Sequence, residues 1–339
     1  MARLIDIARA AGVSEATVSR VLNGKPGVNE ATRRSVLDVA RDLGRGPDPG
    51  AVGSGPLVGV LVPDLDNQVF AAWVERIEAE LFERGASALV AMRARTVERE
   101  REFLQRFLHC GVDAIIVVSG HHAQHRGPID HYREITAGGT PLVLVNGVRE
   151  ELDAAFLSTD EEDAVRAVLT HFQELGHQRV GLAVGDEHTW PVREKVRVFE
   201  TVTARWGQGK QPVAFTDFSY AGGYEAARDL VDRGATAILC GSDVMAAGAL
   251  EGVRSHGLGV PRDISVAGYD DVSWASLTSP PLTTVRQAVG AIARAAVRTA
   301  LGGGEESRRP ARTEVVVRPQ LIVRGSTAAA PGGAASMEG

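Results

Sequence analysis

ARAAGVSEATVSRVLNG, residues 8–24, has the form of two short helices joined by a tight turn. Leu4, Ile5, Ala8 and Ala11 recur at helical spacing and stop at Gly12, a residue able to take the left-handed backbone such a turn needs. Val13 is placed to plug the angle between the helices, and Ser14 can cap a second helix over Glu15–Asn23, with Ala16, Val18, Val21 and Leu22 as its apolar positions. Asn29 can cap a third helix, Glu30–Leu43, burying Val36, Val39, Ala40 and Leu43 and ending at Gly44. Ala10, Val18 and Val21 are expected to set the crossing angle. The pattern predicts a helix-turn-helix whose second helix is short and small-faced enough to enter a major groove.

Charge is distributed in keeping with that head. The 339-residue chain carries a formal −6. Residues 1–46 hold eight Lys and Arg against five Asp and Glu, a net +3 that leaves −9 on the remainder. A basic head on an acidic body suits a nucleic-acid binder better than the total suggests. Cys110 and Cys240 are too far apart in sequence to match a metal or redox spacing. The N-terminus has no apolar signal core, and no run approaches the roughly 18 apolar residues of a membrane span, so a cytoplasmic location and no membrane partner are expected.

Residues 47–56, rich in Gly and Pro, read as a linker. Beyond it, strand-like runs alternate with amphipathic helices. The runs are Leu57–Val62, Ala88–Ala91, Ala114–Val118, Leu142–Val145, Val180–Val184, Val213–Phe215, Ala237–Cys240 and Ile264–Ala267. Helical patterns span Val69–Arg84, Glu98–His109, Glu161–Leu175, Arg193–Trp206, Ala221–Arg233 and Val244–His256. Such alternation implies parallel sheets covered on both faces, and some eight units suit two doubly wound subdomains better than one sheet. The Ala- and Gly-rich tail from Thr327 is expected to be disordered.

The head resembles that of the LacI/GalR (lactose-repressor/galactose-repressor) family. The likeness rests on Asp6-Ile7-Ala8, Ala11-Gly12-Val13-Ser14 and Thr17-Val18-Ser19-Arg20-Val21-Leu22-Asn23-Gly24. It implies that Glu15, Ala16 and Arg20 face base edges and that Ser14, Thr17, Ser19 and Asn23 hold phosphates. Glu15 also has a plainer role available, as a helix-start carboxylate favoured by the macrodipole, and Arg20 as a phosphate contact. The linker departs from the family. Arg45 stands for a Tyr, Asp48 for an Asn and Val52 for an Arg, the segment is about four residues short, and no Leu precedes Leu57 to wedge into the minor groove.

The likeness continues to Ser326 through Val60-Leu61-Val62-Pro63-Asp64, Leu175-Gly176-His177, Arg179-Val180-Gly181, Gly268-Tyr269-Asp270-Asp271 and the stretch Pro280–Gln287. It implies a periplasmic-binding-protein-like core of two doubly wound α/β lobes, one near 57–158 and 287–319, the other near 159–286 and 320–326. A small effector would lie between them, beyond strand C-termini. By resemblance, Arg193 and Asp270 bond the effector, Phe70 and Phe218 stack on it, and Asn146 and Ser242 stand where an Asp and an Asn are more usual. A homodimer on a pseudo-palindromic operator, acting as a repressor under a sugar or sugar derivative, is the implied function. Effector-driven lobe closure would change the separation of the two heads.

Other constellations point nowhere specific. His121, His122, His125 and His131 read as solvated loop residues. Asp160–Asp163 reads as a helix start, and Gly53-Ser54-Gly55 precedes a strand and so is no dinucleotide loop. No catalytic residue, cofactor or metal site is expected. The alternative is a solute-binding protein serving a transporter, which the DNA-binding head and the lack of a signal peptide oppose. An enzyme on an α/β scaffold is opposed by the lack of any catalytic motif.

Overall fold

The computed structural model describes residues 4–22, 28–29, 32, 35–37, 39–40, 43, 55–63, 65–92, 94, 96–302 and 312–331. They fall into two compact units, Met1–Ser54 and Gly55–Gly339.

In the first unit, α1 (Leu4–Ala11) and α2 (Glu15–Leu22) flank the turn. Gly12 takes φ +66°, and the Val13 amide donates to the Ala8 carbonyl at 3.0 Å. Ile7, Ala8, Val18, Val21, Val36 and Ala40 are buried together. Ala10, expected in this core, is exposed, and so is Ile5. At about 100° per residue, the stripe through Leu4, Ile7, Ala8 and Ala11 leaves Ile5 and Ala10 roughly 110° to either side of its centre. Leu43 is also exposed rather than buried. The Asn29 side chain accepts from the Thr32 amide at 2.8 Å, as a cap of the third helix should. Most of that helix and residues 47–54 of the linker lie outside the described residues.

The second unit holds two six-stranded sheets. The first contains β1 (Leu57–Val62), β2 (Ser87–Met92), β3 (Ala114–Val118), β4 (Leu142–Val145), β5 (Ala155–Thr159) and β11 (Thr313–Val317), in the order β11-β5-β4-β3-β1-β2. All its pairings are parallel. The second contains β6 (Val180–Val184), β7 (Val213–Phe215), β8 (Ala237–Cys240), β9 (Ser265–Asp270), β10 (Thr283–Arg286) and β12 (Gln320–Ile322), in the order β12-β10-β9-β8-β6-β7. Only β12 runs antiparallel there. Every residue of β3, β6 and β8 is buried, which is why these strands are continuous apolar runs instead of alternating ones.

The chain passes between the sheets three times: after Thr159, after Arg286 and between Val317 and Gln320. Helices cover both faces. In the first lobe these include α3 (Gln68–Phe82), α4 (Val97–His109), α5 (Asp130–Ala137) and α10 (Val289–Leu301), and in the second α6 (Glu161–Glu174), α7 (Trp190–Thr203), α8 (Tyr220–Asp232) and α9 (Asp243–Ser255). Trp73, Tyr132 and Phe156 fill the first lobe, and Phe172 and Phe199 the second. The tail expected to be disordered from Thr327 is docked as far as Ala330. The Ala330 amide donates to the Leu175 carbonyl at 2.8 Å, and the Ala328 amide to Ser265 Oγ at 3.0 Å. These backbone bonds order the segment despite its composition, and residues 332–339 lie outside the described set. Among the described residues, no helix is long and apolar enough to cross a membrane.

Candidate functional site

In the head, Ser14 Oγ accepts from the Thr17 amide at 3.2 Å and lies 2.9 Å from Thr17 Oγ1, so the predicted cap is formed. With Val18 and Val21 turned inward, α2 presents Glu15, Ala16 and Arg20 to solvent. Ser14 is exposed beside them, and Thr17 and Ser19 are half-buried at the edges of this face. Asn23 lies outside the described residues. A small-faced surface with one guanidinium fits direct base readout, flanked by hydroxyls suited to phosphates.

The second feature is a cavity of about 300 Å³ between the two lobes. It opens at the C-terminal ends of the strands, where peptide ends and loops can converge on a ligand. Four non-glycine residues among those described have positive φ: Ser119 (49°), Asn146 (63°), Asp270 (123°) and Asp271 (57°). All four follow or end strands β3, β4 and β9, and Ser119, Asn146 and Asp270 line the cavity. Each such residue stores strain of order 1–3 kcal/mol, a cost typical of functional sites.

Of the six effector residues predicted, Phe70, Asn146, Phe218, Ser242 and Asp270 line this cavity. The Phe218 ring lies over two glycines: a Cβ on Gly185 would come within 2.3 Å of it, and one on Gly241 within 3.1 Å. It remains 41% exposed, so one ring face is open to the cleft. Asn146 Nδ2 donates to Ser119 Oγ at 3.1 Å, and Ser242 Oγ caps α9 by accepting from the Met245 amide at 3.3 Å. Asp270 accepts from Gln287 Nε2 at 2.6 Å and, across the lobes, from Asn67 Nδ2 at 3.5 Å. Burial first, and then the neighbouring Asp243, push the Asp270 carboxyl well above the usual range. Burial likewise pushes Asp243 up to about 7, although Thr284 and the Val272 amide donate to it.

Arg193 is the exception. It is exposed and lines a different groove. Helix α7 begins at Trp190, and Pro191 and Lys195, one turn apart, share the face turned to the cleft. Residue 193 points roughly the opposite way. The cation that does line the cleft is Lys195, nearly fully buried. Its Nζ lies 2.6 Å from Glu161 Oε2 and 4.0 Å from the centre of the Tyr269 ring, whose hydroxyl donates to the same carboxylate at 2.8 Å. The rims are joined as well. Gln124 and Thr189 form a β-bridge, the His125 amide donates to the His188 carbonyl at 2.9 Å, and Ser273 Oγ donates to Gln68 Oε1 at 3.3 Å.

The histidines read as solvated are corrected in part. His122 and His131 are buried, as is Glu100. Glu100 accepts from His131 Nε2 at 2.9 Å, from His121 Nδ1 at 3.1 Å and from the Tyr132 hydroxyl. These donors hold its carboxyl far below the usual range despite burial, and the same carboxylate raises His121. The cluster fixes the loop that carries Gln124 to the rim. Among the described residues, no group of three His, Cys, Asp or Glu side chains could hold a metal.

The chain is 43% identical over 338 residues to the HTH-type transcriptional regulator MalR of Streptomyces coelicolor, covering 97% of this chain and 98% of that one. The chain belongs to the lacI family of bacterial regulatory proteins. The model of that family matches residues 3–48, and the periplasmic binding protein-like domain matches 169–327. This LacI-family protein is also 30% identical to the transcriptional repressor CytR of Escherichia coli K12, over 97% of each chain. Two structural likenesses extend over nearly the whole chain at 26% identity. The lac repressor dimer bound to operator and the anti-inducer ONPF has a TM-score of 0.73, covering 97% of this chain and 99% of the other. The CelR–cellobiose complex has a TM-score of 0.71, covering 96% and 100%. The protein is therefore a transcriptional regulator with a helix-turn-helix DNA-binding head, and its relatives and fold are those of regulators, not enzymes.

The LacI-family resemblance did not indicate Asn67, Glu161, Lys195, Tyr269 or Gln287, which complete the cleft wall. Glu161 was hidden in an acidic run that reads as a helix start. Asp160 does cap α6 by accepting from the Asp163 amide at 2.9 Å, while Glu161 turns inward. Lys195 lies one helical turn after Pro191 on the same face, but its spacing in the sequence does not separate it from the exposed cations of that helix.

Proposed function

We propose that this LacI-family regulator is a repressor that binds a pseudo-palindromic operator as a homodimer and answers to a neutral sugar or sugar derivative held between its lobes. The observation that carries the effector class is the charge balance of the cleft. Among the described lining residues Lys195 is the only cation, and it is engaged by Glu161. An anionic effector would be desolvated beside Glu161 and Asp270 with no free cation to pair with it. A sugar asks for what the wall supplies: aromatic faces from Phe70 and Phe218, amides from Asn67, Gln124, Asn146 and Gln287, and the Asp270 carboxyl.

The mechanism follows from where these groups sit. Phe70 and Asn146 belong to the first lobe, and Phe218, Ser242 and Asp270 to the second. A ligand that contacts both sets favours closed lobes over open ones, and it regulates DNA binding only through that difference in affinity. In the head, Glu15, Ala16 and Arg20 read bases while Ser14, Thr17, Ser19 and Asn23 hold phosphates. The likeness to the operator-bound lac repressor dimer and to the CelR–cellobiose complex supports this reading.

Calorimetric titration of the full-length protein with a panel of neutral mono- and disaccharides tests the effector class. At least one should bind, and Phe218→Ala and Asp270→Asn should each weaken it. A phosphorylated or carboxylated sugar binding more tightly than its neutral parent, through Phe218 and Asp270, would overturn the reading.

A further inference from the structure

A groove of about 690 Å³ shares no lining residue with the effector cleft. Its walls come from both lobes: His125 and Arg126 from the first, Arg193 and Phe215 from the second. The two are brought together where the His125 amide bonds the His188 carbonyl, beside the Gln124–Thr189 bridge. The loop on the first-lobe side is fixed from behind. Arg149 donates to the carbonyls of Gln124 and Gly127 at 2.8 and 3.1 Å.

The charges in this groove are not balanced by the protein. Among the described residues, the Arg126 and Arg193 side chains make no hydrogen bond or ion pair, although they come from opposite lobes. Arg197, on the same wall, is committed to Glu194 and Glu162 at 2.8 and 3.3 Å. Of the two acids lining the groove, Glu200 pairs with Lys210 at 3.2 Å, which leaves Glu187. The field is felt by His125, which Arg193, more than any other group, holds below the ordinary histidine range. Like charges faced across a closing interface oppose closure unless something pairs with them. Phe215, 48% exposed in the same groove, adds an apolar face beside the guanidiniums.

The geometry points to a second small-molecule site in this groove, one that takes a phosphate dianion between Arg126 and Arg193 with any attached carbon skeleton against Phe215. Guanidinium is the group suited to such a dianion, because its fork of N–H donors matches phosphate oxygens. A ligand there ties the lobes together as the cleft ligand does, so the two sites are coupled, and each raises affinity at the other by the same factor. The site does not depend on the cleft ligand being a sugar.

Calorimetric titration of the full-length protein with inorganic phosphate and with glycerol 3-phosphate, at constant ionic strength and with glycerol as the uncharged control, tests the site. Saturable binding by at least one anion is expected, weakened roughly tenfold by Arg126→Gln and by Arg193→Gln, the scale of one charge-assisted contact. Arg205→Gln, an exposed change outside the groove, and Arg20→Ala, which removes a cation of the head, should leave it unchanged. Tighter binding of the ester names a phosphorylated metabolite as occupant, and tighter binding of phosphate names the free ion. The proposal is overturned if neither anion gives saturable heat, or if binding is indifferent to Arg126→Gln. It is equally overturned if Arg193→Gln abolishes neutral-sugar binding while anion binding persists, since that would return Arg193 to the cleft.

Discussion

Replacing Lys195 with Met tests whether the charge balance of the cleft is structural. The ammonium and its partner Glu161 have side chains 5% and 7% exposed, their atoms are 2.6 Å apart, and the ammonium also rests on the Tyr269 ring. Removing one partner of such a pair leaves a buried, uncompensated carboxylate, for which a loss of about 3–5 kcal/mol is expected. The methionine occupies similar volume, so little of that loss comes from packing. Adding Glu161→Gln removes the orphaned charge and leaves the Tyr269 hydroxyl an amide oxygen to bond. The double variant should therefore recover most of the stability, a strongly non-additive cycle. Urea unfolding followed by fluorescence and circular dichroism gives these values from midpoints at constant slope. A loss below about 1 kcal/mol for Lys195→Met would place the pair with exposed ion pairs. Lys195 would then be free to meet an anion, and the argument for a neutral effector would fail.

The pH dependence of the second lobe carries another expectation. Asp243 has its pKa raised to about 7 in the folded protein, so its proton stabilises the fold fully below the unfolded value near 4, and that contribution is lost as pH rises through about 7. Compared with Asp243→Asn, the native protein should lose stability over that window with a slope of up to about 1.4 kcal/mol per pH unit. Taking the difference between the two proteins removes the opposing effect of His122, lowered to about 4 by burial, whose contribution falls away at acid pH. Gly12→Val should destabilise the head by about 1–2 kcal/mol, because φ +66° is strained for a side chain. No atom lies within 4 Å of the new Cβ, so the Cβ itself meets no clash and the cost begins with the backbone, and operator affinity measured by anisotropy should fall with it. Gly185→Ala would push its Cβ into the Phe218 ring at 2.3 Å. Sugar affinity should drop roughly tenfold as an aromatic contact is lost, while the melting temperature moves little because the half-exposed ring can swing outward. Unchanged affinity would show that the ring is not part of the site.

The head was legible because a short motif sets most of it: Gly12 needs its turn, Ser14 its cap, and Val18 and Val21 one buried face. Ala10 was misassigned because alanine fits either side of a helix and only the position of the stripe separates the two. The apolar strands of both lobes were legible for the opposite reason, as whole runs buried on two faces. The strands at 155–159, 283–286, 313–317 and 320–322 were not legible. They are short or rich in Thr and Ser, and β11 is largely exposed at the edge of its sheet, paired with a strand more than 150 residues earlier. The Ala-rich helix Val289–Leu301 buries small side chains that give a weak periodic signal. In the cleft, residues at strand ends could be placed by matching motifs. Lys195, Glu161 and Gln287 could not, because what makes them matter is burial and the partner each meets across 34 to 128 residues of sequence.

The measurement that bears most directly on the central claim is the affinity of the full-length protein for an operator selected from random DNA, with and without each neutral sugar that binds. A two-fold-symmetric site is expected, bound with a steep salt dependence and dependent on Arg20. One sugar should shift that affinity at least several-fold, and Phe218→Ala should abolish the shift without altering sugar-free DNA binding. An operator whose affinity no neutral sugar changes, or a shift that survives Phe218→Ala and Asp270→Asn, would contradict the account.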